Sequence, residues 1–158
     1  MKTMIAVMLM AVAALAASPT HAQLADKKAL TLAEAKKLIA AAEDAATKGT
    51  AHMSFAVLDE GAHILAFERM DGASLVTGEF AIKKAKSSVL YKAPTEGFSD
   101  ALGKGRTAIL GLPEAVPFGG GVPLMANGQL VGAIGCSGGN TPTQDSEVCG
   151  AAAATLSK

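Results

Sequence analysis

The dipeptide Asn127-Gly128, set alone between the apolar runs 122–126 and 129–137, constrains the fold more than any other feature of the chain. A two-residue hairpin turn needs positive φ at both central positions, and Asn-Gly meets that need at low steric cost. The two runs are therefore expected as antiparallel neighbours. A second pair of runs, 54–59 and 63–69, is rich in strand formers. It is joined by the turn Asp59-Glu60-Gly61 and ended by Asp71-Gly72.

Helical periodicity surrounds both hairpins. In "LTLAEAKKLIAAAEDAATKG", Thr31 caps the start, Glu34 completes a capping box and Gly49 stops the helix. Leu32, Ala35, Leu38, Ile39, Ala42 and Ala46 form its apolar stripe. A second helix is predicted over 77–91, with Phe80, Ala81, Ala85, Ser88 and Val89 on one side and Lys83, Lys84 and Lys86 mostly off that stripe. Thr95 caps one or two further turns, and 103–117 reads as a loop with a short apolar patch. Thr141 caps a last helix, with Pro142 at its first position and Gln144 completing the box. The order helix, hairpin, helix, loop, hairpin, helix gives an α+β domain, an antiparallel sheet covered by helices.

Residues 1–22 read as a signal peptide and 23–158 as one domain. Lys2 precedes an apolar run over 4–17, and "SPTHA" ends on the small residue Ala22. The run is short for a bilayer span, so stable membrane insertion is not expected, and the chain is placed in the periplasm or outside the cell. Without Lys2 the net charge is near −1, which gives no footprint for nucleic acid. Cys136 and Cys149 form a disulfide in an oxidising compartment or stay as two buried thiols, and their spacing alone does not decide. CxxC is absent, so no redox pair or zinc knuckle is indicated.

The glycines of 118–144 raise the question of a phosphate loop. Strand, glycine turn and helix follow in the right order, but the P-loop lysine and GxGxxG are missing. Gly132 and Gly135 fall inside a strand, where glycine marks a bulge or the close approach of another backbone. Gly119, Gly120 and Gly121 precede a strand and let a chain or a flat ligand reach the main chain, a candidate ligand floor.

His52 and His63 are the histidines outside the leader. Two histidines without a third ligand make a poor zinc site, whereas either alone suits an axial position on haem iron. A solvated strand histidine is the plain reading of both. Met53, Met70 and Met125 read as packing residues that could also ligate haem. The acidic pairs Glu43/Asp44 and Glu68/Asp71 read as solvated faces, and Ser137 lacks the G-x-S-x-G elbow of a serine hydrolase.

The blocks "LTLAEAKKLIAAAEDAA", "FAVLDEGAHILAFERMDGA", "AIKKAKSSVLYKAPT", "FGGGVPLMANGQLVGAIGCSGG" and "QDSEVCGAA" resemble, in that order, the GlcG/HbpS-type haem-binding domain. They are also similar to the C-terminal part of PduO cobalamin adenosyltransferases. The resemblance covers residues 30–154. It implies a profilin-like three-layer fold and assembly into a homo-oligomer, often an octamer. It also implies haem as cofactor in some members, while other members accompany genes for glycolate or diol breakdown. Cys136 stands where the family usually has Val, and Glu60 replaces the usual turn Gly. The resemblance fixes no single iron ligand. Of the matching positions, His63 and Thr95 are the candidates, with Arg69 or Lys92 near a propionate. The expected function is an exported haem-binding protein rather than an enzyme. The alternative is an accessory protein or enzyme of small hydroxy-acid metabolism, with His63 as base and Gly119–Gly121 as an anion floor.

Overall fold

Strand β4 (Gln129–Ser137) is the spine of the molecule: it pairs with β1 (Ser54–Asp59) on one side and β3 (Gly121–Ala126) on the other. β2 (Ile64–Arg69) adds to β1, giving the order β2-β1-β4-β3 with every pair antiparallel. The computed structural model describes residues 26–141 and 143–156. The signal-peptide reading of 1–22 and the placement of Pro142 lie outside them. Asn127 and Gly128 have φ 52° and 79°, so the β3–β4 turn has the two left-handed residues expected of Asn-Gly. Pro123 is tolerated because β3 is an edge strand.

Helices cover both faces. α1 (Leu32–Lys48) and α4 (Gln144–Ala153) pack with Phe55, Val57 and Ile134 on one face. α2 (Leu75–Tyr91) packs with Ala56, Leu58 and Ala133 on the other. The result is the expected α+β, three-layer fold. Phe55, Leu38, Met53 and Leu58 are fully buried, each contributing about 1.5–3 kcal/mol. Met53 and Met70 meet through a backbone N–H donated to sulfur, so both are packing residues.

α2 sits unusually close to the sheet because small residues face it. A Cβ on Gly135 would collide with the Ala81 carbonyl, and one on Gly121 with the Lys84 carbonyl. Ala81 and Ala85 complete this seam from the helix side.

Several local expectations need correction. Leu32 is half exposed, because α1 meets the sheet only from Ala35 onward. Lys84 lies on the buried stripe of α2 with Thr77, Ala81 and Ser88. Thr95 precedes α3 (Glu96–Gly103) but its side chain caps nothing there; it turns to Gly121 instead. Residues 107–111, expected within a loop, form a 3₁₀ turn (Thr107–Gly111). Thr141 does not cap α4: Gln144 Oε1 accepts from Asn140 N–H and Asp145 Oδ1 accepts from Gly139 N–H, so the helix begins later.

Candidate functional site

Phe80 and Lys84 stand one turn apart on α2, and the helix aims them at the end of β4 where Cys136 and Ser137 lie. Lys84 is 3 % exposed. Its ammonium donates to Asp145 Oδ2 at 2.5 Å, to the Cys136 carbonyl at 3.1 Å and to Ser137 Oγ at 3.5 Å. Asp145 in turn accepts the Gly139 N–H at 2.8 Å. Burying a charge without such a complete set of partners would be prohibitive. Gly120, at φ 109°, runs against this pair: a Cβ there would stand 2.5 Å from the Cys136 carbonyl oxygen and 3.2 Å from Lys84 Nζ. Only glycine fits.

A cleft of about 360 Å³ opens over this pair. Gly119 forms part of it, and the rings of Phe80 and Phe118 form an edge-to-face wall with centroids 5.9 Å apart. Phe118 leaves 56 % of its surface in solvent. The disulfide Cys136–Cys149 fastens the strand beneath the cleft to α4, which carries Asp145. Of the three glycines Gly119 lines the cleft, while Gly120 packs against the Cys136 carbonyl and Gly121 against the Lys84 carbonyl. No motif marks Lys84 or Asp145, although the spacing 77, 81, 84, 88 puts Lys84 on the inward face.

The other candidate residues are elsewhere. Thr95 is fully buried, and its Oγ1 accepts the Gly121 N–H at 2.9 Å. His63 follows the β1–β2 turn with 82 % of its side chain exposed, its Nδ1 3.3 Å from Asp59 Oδ1. That carboxylate also accepts the N–H groups of Gly61 and His63. Partial burial alone would raise Asp59, but these two N–H groups and the neighbouring ring outweigh it and hold the carboxyl below its usual value. Arg69 is at the other end of β2, about 20 Å along the strand from His63, and donates to the Ala73 carbonyl. Lys92 ends α2 in a left-handed turn.

His52 and His63 lie at opposite ends of the first hairpin, so they do not approach each other. Among the described residues no group of three or more His, Cys, Asp or Glu converges on a metal position. His63 and Gly119–Gly121 belong to opposite edges of the sheet, with β1 and β4 between them. One protomer therefore does not join that histidine to that floor.

The model of the family described as haem degrading protein HbpS-like matches residues 30–154. The chain belongs to the HbpS-like family. Among its relatives, GlcG of Escherichia coli strain K12 is 38% identical over 103 residues, 65% of this chain and 77% of GlcG. The crystal structure of a double mutant of Streptomyces reticuli HbpS matches with TM-score 0.77 and 33% identity, over 90% of this chain and 99% of that one. The crystal structure of a PduOC:heme complex matches with TM-score 0.72 and 30% identity, over 80% of this chain and 94% of that one. Corrinoid adenosyltransferase PduO of Salmonella typhimurium strain LT2 is 32% identical over 146 residues, 89% of this chain but 43% of PduO. Among the described residues no helix is long and apolar enough to cross a membrane.

Proposed function

We propose that this HbpS-like chain is an exported haem-binding protein serving haem or iron handling, with His63 as the iron ligand. The observation that carries the reading is the fold and sequence likeness to a domain whose structure is a haem complex. The residues present fit the group. His63 offers a largely exposed imidazole with Nδ1 3.3 Å from the Asp59 carboxylate, and a carboxylate beside one ring nitrogen is the arrangement that orients metal-bound imidazoles. Ile64 and Phe67, both about half exposed on the adjoining edge strand, supply apolar surface for a ring. Thr95 is buried, and its hydroxyl oxygen accepts the Gly121 N–H. Arg69, at the far end of β2, is too distant to share a propionate with His63 in one protomer. Bound haem supplies an iron whose potential depends on its ligand and surroundings.

Export is supported by the leader pattern and by the disulfide, which persists in oxidising compartments. The exposed edge strand β2 is a surface that a second copy would cover. The test is hemin titration of the chain lacking residues 1–22. A saturable Soret band at one haem per chain or per dimer, lost in His63→Ala, is expected. Absence of a saturable band would sink the reading.

A further inference from the structure

We infer that the cleft over Lys84 and Asp145 is a second ligand site, built for an uncharged, hydroxyl-bearing molecule of about one ring. The first reason is charge. All three protons of the Lys84 ammonium are committed, to Asp145, the Cys136 carbonyl and Ser137. The pair is neutral overall. Among the described residues that line the cleft, an incoming carboxylate finds no cation besides the committed Lys84, and it meets the Asp145 carboxylate. An incoming ammonium meets the Lys84 ammonium and a carboxylate whose charge Lys84 already balances. Neither ion gains enough to offset its desolvation.

The second reason is the hydrogen-bonding that remains. Ser137 receives a proton from Lys84, which leaves its own O–H to donate. Each Asp145 oxygen accepts one bond and keeps a second lone pair. Asp145 is also the more exposed partner, 18% against 3% for Lys84, so the face the pair turns outward is an acceptor. Ser99 and Thr141 add hydroxyls at the walls. One donor beside one acceptor matches a ligand hydroxyl, which both gives and takes. The third reason is the apolar side. Phe118 stands exposed beside Phe80, the two already edge-to-face, and an aromatic ring extends that arrangement. A volume of about 360 Å³ lies at the small end of small-molecule sites. The cleft lies toward the β3 edge, away from His63 on the β1–β2 turn, so the two sites are separate.

The test uses four ring probes in calorimetry and ligand-observed NMR: catechol and phenol, uncharged at neutral pH, against benzoate and benzylamine. Catechol and phenol are expected to bind saturably in the millimolar range or tighter, ahead of both ions. Phe118→Ala, at an exposed position, should weaken them about tenfold, and Ser137→Ala by a similar factor. Ser99→Ala should weaken them by less, and all three variants should keep the Soret titration of the wild type. The inference is overturned if neither uncharged probe binds, if benzoate or benzylamine binds more tightly, or if Phe118→Ala binds as the wild type does. Displacement of catechol by hemin would also overturn it, because the two sites would then be one.

Discussion

Lys84 Nζ stands 2.5 Å from Asp145 Oδ2, and that pair ties the helix on one face of the sheet to the helix on the other. The two partners are unequal. Asp145→Asn leaves an ammonium stranded in the interior and is expected to cost about 3–5 kcal/mol. Lys84→Met removes the charge that is harder to solvate. It leaves a carboxylate that still accepts the Gly139 N–H, so about 1–3 kcal/mol is expected. Lys84→Met combined with Asp145→Leu should recover part of the loss, since an apolar pair carries no desolvation penalty. Urea denaturation of the three variants measures this. Equal losses in the two single variants would contradict the asymmetry.

The Cys136–Cys149 bond closes a loop of sequence separation 13 and joins β4 to α4. A loop of that size restricts the unfolded chain by about 3 kcal/mol. Reduction, or Cys136→Ala with Cys149→Ala, should lower the melting temperature by about 6–12 °C. A melting curve that is unchanged by reductant would show that the bond contributes nothing.

Gly135→Ala places a methyl against the Ala81 carbonyl, with the Ala85 nitrogen 2.8 Å away, and both obstacles are backbone. Separating α2 from the sheet is expected to cost about 2–3 kcal/mol. Gly150→Ala is the control. Nothing lies within 4 Å of that added carbon, and the position is inside α4, so stability should hold or rise by about 0.5–1 kcal/mol. Comparable denaturation midpoints for the two variants would refute the close packing of α2.

The features readable in the sequence were the local ones. Asn127-Gly128 sets its own turn, and the start of β4 follows directly from it. Thr31 caps α1 because its partner, the Glu34 N–H, is three residues away. Thr95 and Thr141 carried the same signal and failed it. Thr95 is drawn to Gly121, a partner 26 residues distant, and the start of α4 is set by Asn140 and Gly139. The site was half legible for the same reason. Gly119 belongs to a run of glycines that is plain in the composition, but the charged pair joins residues 61 positions apart. A lysine in a run of lysines reads as solvent-facing, although its helical phase pointed inward. The disulfide depended on how α4 packs, which spacing does not encode.

Thr95→Val keeps the shape of the side chain and removes the acceptor for the buried Gly121 N–H. An orphaned N–H there should cost about 1–3 kcal/mol, whereas Thr95→Ser keeps the oxygen and should lose less. Chemical denaturation of both variants distinguishes a hydrogen-bond role from simple packing. If Thr95→Ser is as unstable as Thr95→Val, the hydroxyl is not what matters.

Asp59 gives the turn that holds His63 its dependence on pH. Its partial burial opposes ionisation, but the N–H groups of His63 and Gly61 and the His63 ring prevail, so its folded-state value lies below the ordinary 3.8. A carboxyl lowered on folding stabilises the native state above its unfolded-state value, and that contribution disappears as pH falls through the lower, folded-state value. The turn should therefore loosen only in the acid range below about 4 and be insensitive between pH 5 and 8 as far as Asp59 is concerned. Asp59→Asn keeps an acceptor oxygen for the two N–H groups but cannot ionise, so it should remove this acid-range dependence while leaving the turn in place. Carboxyl-carbon NMR titration of Asp59, with the amide shifts of Gly61 and His63 followed in both proteins, measures it. A midpoint for Asp59 at or above 3.8 would contradict the hydrogen-bonded turn.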